Sequence, residues 1–134
     1  MLSHSKRTEL QTLVAVLDQC HAALANVPGD SAEAFIANWK DIRSSCVNGM
    51  LGVRPSEWAA GLEQGLREMP MRFQAVEPSQ RSMFAGTLNA AVHAEFPDFL
   101  LLQEQRLSKI LGRGRIKSES DFMLVRHAIN VAEV

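Results

Sequence analysis

The sequence predicts an all-α protein, a single-domain bundle of five to six helices, and three observations predict it. Apolar residues recur at three- and four-residue spacing along most of the chain, the period of an amphipathic helix. The segments marked in this way are separated by proline, glycine and Asn–Gly turn signals. The 134 residues are 46% hydrophobic and 22% charged, and a chain of this length buries about two-thirds of its unfolded surface, so its core needs neither metal nor disulfide. No repeat, low-complexity tract or linker divides residues 1–134, which read as one domain.

Leu10, Leu13, Val14, Leu17, His21 and Leu24 mark the first helix, ending near Asn26 ahead of Val27, Pro28 and Gly29. Asp30 or Ser31 offers an N-cap for a second, with Phe35, Ile36, Trp39, Ile42 and Cys46 on one face and Asn48–Gly49 as its stop. Residues 50–53 form an apolar connection. Pro55 opens a third helix with Trp58, Leu62, Leu66 and Met69 buried, and Pro70 should end or kink it. Gly61 and Gly65 sit four apart in that helix, where each costs about 1 kcal/mol against alanine, so close approach of another backbone is the expected reason for them.

Residues 71–76 alternate apolar and polar side chains and read either as one very short strand or as a helical turn. Pro78 and Ser79 open the fourth helix, with Met83, Phe84, Leu88, Ala91 and Val92 inward, as far as the residue before Pro97. Asp98 can cap the fifth, whose stripe is Leu100, Leu107, Ile110 and Leu111 with Gly112 as a left-handed stop. The last helix starts at Ser118 with Asp121 in the capping-box position and runs nearly to Val134. Between Phe122 and Ala132 its only charged residue is Arg126, so it is apolar on more than one face, and Phe122, Val125 and Ile129 are the residues expected to meet a second copy. A homo-oligomer, most simply a dimer, is the predicted assembly.

The net charge is −1, so no global field draws polyanions. One local departure stands out: Arg106, Lys109, Arg113, Arg115 and Lys117 crowd a turn containing Gly112 and Gly114, which exposes backbone N–H groups beside a helix start. Such a turn can hold an anion by charge and helix dipole together. A DNA-reading helix-turn-helix is disfavoured, because the following helix begins Ser118, Glu119, Ser120, Asp121 and so puts carboxylates where phosphates would lie. Backbone-only binding of nucleic acid is the minority reading, and a solvated turn partly paired with Glu104 and Glu119 the majority one.

Four histidines and two cysteines carry the remaining chemistry. His21 and His127 read as packed core residues, His4 as part of the terminus, and Cys20 and Cys46 as reduced core thiols. Asn89 and His93 lie one helical turn apart beside Gly86 and Ala90, either lining a small pocket or marking a close helix crossing. No mechanism-bearing motif is present: no P-loop, dinucleotide fingerprint, HExxH, CxxC pair, GxSxG or EF-hand loop. No catalytic residue, metal ligand or cofactor is assigned. No secretory signal or membrane span is read, and the cytoplasm is the expected compartment.

These observations lead to a non-enzymatic protein-interaction module, an adaptor, regulator or toxin-neutralising partner, self-associating through its last helix. The alternative is a nucleic-acid or phosphorylated-ligand binder using residues 106–117. An enzyme with a pocket around His93 comes third.

Overall fold

The computed structural model describes residues 9–49 and 52–132. The expectations for His4, for the apolar connection at Met50 and Leu51 and for the last two residues lie outside the described residues. Those described form six α-helices: α1 (Leu10–Leu24), α2 (Asp30–Val47), α3 (Pro55–Arg72), α4 (Arg81–Glu95), α5 (Pro97–Arg113) and α6 (Glu119–Ala132). Two 3-10 turns, Phe73–Ala75 and Pro78–Gln80, join α3 to α4. The protein is all-α, with no strand among the described residues.

The chain gathers into two compact units, Met1–Glu68 and Met69–Val134, the division falling within α3. In the first, α1 packs on α2. Leu13, Val16, Leu17, Cys20 and Leu24 of α1 are buried, as are Ala32, Trp39 and Cys46 of α2. Asp18 joins the two helices: its Oδ1 accepts the Trp39 indole N–H at 2.9 Å and the Arg43 Nε–H at 2.8 Å. The His21 ring lies 5.6 Å from that of Trp39, stacked, and donates from Nδ1 to the Leu17 carbonyl at 2.6 Å. Trp39 is therefore packed on one face and hydrogen-bonded at its edge, the arrangement that lets an indole be buried without loss. Trp58 on α3 is only half-buried, yet its indole nitrogen is enclosed and has no acceptor.

In the second unit α4 packs against both α5 and α6. Phe84, Ala85, Leu88, Ala91 and Val92 of α4 are buried together with Phe73 and Val76, and Phe73 and Phe84 meet edge to face at 5.5 Å. Phe99 and Ile110 supply the buried side of α5. Contrary to the inward stripe, Met83 and Leu111 are exposed, each lying at the margin of an apolar arc wider than the helix buries.

Residues 71–76 make no strand. Pro70 stands within α3, which continues to Arg72 and passes into a 3-10 turn. A proline so close to the helix end removes only one backbone hydrogen bond, with little helix beyond it to disrupt. Arg81 then donates to the carbonyls of Gln74 at 2.7 Å and Val76 at 3.0 Å, satisfying two acceptors that a sheet neighbour would otherwise have to pair.

Two glycine expectations are also corrected. Among the described residues a Cβ built on Gly61 or Gly65 would meet nothing within 4 Å, so none of their backbone crosses closely there. Gly112 is a helical residue of α5, and the left-handed stop is Gly114, with φ of 74° and its N–H donating to the carbonyls of Ile110 and Leu111. Carrying the helix past Gly112 places Arg113 in the last turn, where it finds a partner across the connection to α6.

Candidate functional site: the α5–α6 turn and the outer face of α6

Arg113 is held by Asp121, its guanidinium donating to the carboxylate across the turn. Both side chains are largely withdrawn from water, at 27% and 17% exposure. The same Asp121 Oδ2 accepts the Lys117 backbone N–H at 3.3 Å, and the Asp121 N–H donates to the Ser118 hydroxyl at 3.1 Å. Ser118 is therefore the N-cap the sequence indicates, but the returning half of the capping box reaches one residue further back. Arg106, half-buried on α5, donates to the Ser120 hydroxyl at 3.0 Å.

The five basic residues thus separate into two groups. Arg106 and Arg113 tie α5 to the first turn of α6, whereas Lys109, Arg115 and Lys117 project into solvent. The partner carboxylate is Asp121 rather than Glu104 or Glu119. At the start of α6, where helix dipole and exposed N–H groups would attract an anion, the chain has set its own carboxylate.

α6 buries one side and leaves the other apolar. Asn130 is buried, and Met123 and His127 are largely covered. The His127 ring lies 6.4 Å from that of Phe73, and its Nδ1 is enclosed without a partner. Burial pushes its pKa down to about 4, so the imidazole is neutral at physiological pH. On the opposite side, Phe122 is 46% and Ile129 44% exposed, with Val125 half-buried and Ala132 exposed. At about 100° per residue these four fall within an arc of about 80°, and no polar residue shares it. Exposed apolar side chains continue in the preceding turn at Ile116 and in the last turn of α5 at Leu111.

The other candidate residues do not assemble. His93 is exposed on α4 and Asn89 half-buried, so the histidine is not enclosed in a pocket; Ala90 beside them is exposed too. In the first unit a groove of about 550 Å³ is lined by Leu10, Val14, Val47, Val53, Pro55 and Trp58, with Asp18 and Cys46 among its polar borders. Burial pushes the Cys46 thiol up, an effect that Arg43 opposes and Asp18 reinforces, which disfavours the thiolate. Among the described residues no three His, Cys, Asp or Glu side chains gather as metal ligands, and no helix is long and apolar enough to cross a membrane.

Nothing in the sequence marks the Asp18–Trp39–Arg43 junction or the groove next to it. Both depend on contacts between α1 and α2 more than twenty residues apart, and Asp18 lies off the apolar stripe with nothing local to mark it. Set against known proteins, the chain matches no family model, no curated protein and no solved structure.

Proposed function

We propose that this protein is a non-enzymatic interaction module that self-associates through the outer face of α6, acting as an adaptor, regulator or toxin-neutralising partner. The observation that carries the reading is the apolar arc of Phe122, Val125, Ile129 and Ala132, half-exposed to water with no polar side chain within it. A folded surface tolerates single exposed apolar residues, whereas three turns of helix presenting nothing else indicate a face that is covered in use. Completing the burial of Phe122 and Ile129 is worth about 1 kcal/mol each per copy, taking half of the value for a full side chain. Over both copies this comes to about 4 kcal/mol, no more than the lower edge of the cost of association, so the dimer is weak and reversible and draws on the rest of the arc as well.

Two buried cysteines that form no disulfide, Cys20 and Cys46, support the cytoplasm as its compartment. The test of the reading is mass in solution as concentration rises, with Phe122 and Ile129 intact and replaced.

A second reading, binding of nucleic acid or a phosphorylated ligand by the α5–α6 turn, is favoured by the exposure of Lys109, Arg115 and Lys117. It is weakened by Asp121, which occupies the helix start and neutralises Arg113. Retention on heparin against salt separates the two.

A further inference from the structure

We infer that the partner of the α6 outer face is α6 of a second copy running antiparallel, with Phe122 of each chain set against Ala132 of the other and Val125 against Ile129. The inference rests on the self-association just proposed and adds its geometry. Three features of the helix direct it.

The first is the order of sizes along the arc. Phe122, Val125, Ile129 and Ala132 run from a large ring at the N-terminal end to a methyl group at the C-terminal end. Aligned in parallel, two such helices would oppose ring to ring at one end and methyl to methyl at the other, splaying the first and leaving a gap at the second. Reversing one copy sets large against small and Val125 against Ile129, which keeps the spacing even and fills the seam.

The second is charge. The N-terminal end of α6 follows the turn bearing Arg113, Arg115 and Lys117, and only Glu119 and Asp121 offset it within the first helical turn, whereas the last turn carries no basic residue. Parallel pairing would bring two cationic turns together. Antiparallel pairing separates them by the length of the helix, about 20 Å, beyond the screening distance at physiological salt. Each cationic turn then lies towards the C-terminal end of the other copy's α6, the negative end of its helix dipole.

The third is the size of the patch. A face of fourteen residues covers on the order of 300–400 Å² per copy, about half of what a standard stable interface buries on each side. A two-fold axis through the middle of α6 uses the whole of that face on both chains, while a shifted or crossed contact would waste part of it. Arg126 lies at the margin of the arc, where a long side chain can lay its methylenes along the seam and keep its guanidinium in water.

Disulfide trapping tests the geometry, using Ala132→Cys and Phe122→Cys variants of the full chain, each oxidised alone and then mixed, one of them carrying a size tag. In the antiparallel pair, residues 122 of the two copies lie about 15 Å apart along the helix and so do residues 132, too far for a disulfide, while 122 and 132 face each other. The mixed disulfide should form about tenfold faster than either homodisulfide, with oxidised wild type, whose two thiols are buried, as the background. Ala132→Cys retains Phe122 and discriminates by itself, since rapid crosslinking of this variant with itself would show a parallel pair and overturn the geometry. Absence of crosslinks in every mixture, with wild type sedimenting as a dimer, would overturn it as well and leave self-association standing. Wild type that remains at the monomer mass at about 0.5 mM would remove both.

Discussion

Replacing Gly61 and Gly65 by alanine should make the protein more stable. Glycine in a helix interior costs about 1 kcal/mol relative to alanine, because the unfolded chain loses more freedom on folding. That cost is retained in evolution where a methyl group would collide, but a Cβ at either position meets nothing within 4 Å. Each substitution should therefore return close to the full value, and the pair about 2 kcal/mol. With an unfolding entropy of roughly 2 cal/mol/K per residue, 1 kcal/mol corresponds to about 4 °C for the whole chain and about twice that if the first unit melts alone. Gly112 is the penultimate residue of α5, so Gly112→Ala should give about half as much, whereas Gly114→Ala should cost about 1 kcal/mol because φ of 74° is strained for any residue with a Cβ. Two glycines two residues apart are thus expected to respond with opposite signs. Urea titration followed by far-ultraviolet circular dichroism measures all four variants. A destabilised Gly61→Ala or Gly65→Ala would show that a neighbour does approach α3 there, and a stabilised Gly114→Ala would show that α5 ends elsewhere.

Three further expectations follow from the same contacts. Stability should fall as pH drops from about 6.5 towards 4: His127 has its folded pKa lowered to about 4 from 6.5, so the unfolded chain takes up the proton first, the stabilisation is complete above 6.5, and up to about 3 kcal/mol is lost on descent. His127→Gln should flatten that limb of the pH–stability curve, and an unchanged slope would place the acid sensitivity in another group. Trp39→Phe should cost about 1–2 kcal/mol more than Trp58→Phe in urea unfolding, since it alone discards an indole hydrogen bond to Asp18 whereas the Trp58 N–H is buried without an acceptor; equal losses would contradict this. Asp121→Ala should release Arg113 and make the protein elute from heparin at higher salt, while alanine at Arg113, Arg115 and Lys117 together should abolish any retention; no change in either variant would show the turn to be a solvated connection.

The helices were legible because burial is periodic. Leu13, Leu17, Leu24, Trp39, Leu66, Leu88 and Ile110 all fall on stripes visible in the sequence and are buried in the structure. Less legible was anything decided by competition between equivalent local signals. Gly112 and Gly114 are equally good helix stops in isolation, and the second is used when Arg113 is carried round to Asp121, eight residues on. Pro70 carries a breaking signal whose strength depends on how near the helix end lies, which the residues around it do not fix. The alternation at 71–76 suits a strand as well as a turn, and what decides between them is Arg81, which takes the carbonyls of Gln74 and Val76. As for the site, composition alone marked α6 as apolar beyond one face, and Phe122, Val125 and Ile129 do share its outer side. That Asp121 neutralises Arg113 at the helix start depends on the path of the turn, for which the sequence offers only two glycines.

Sedimentation equilibrium over a wide range of concentration bears most directly on the central claim, that α6 presents a face for a second copy. Wild type should show a weight-average mass rising above the 14.8 kDa of one chain as concentration approaches about 0.5 mM. The double substitution Phe122→Lys and Ile129→Lys should hold the mass at that of one chain with an unchanged circular dichroism spectrum, because both side chains are already about half in water. Wild type that stays monomeric throughout, or a double variant that associates as readily as wild type, would contradict it.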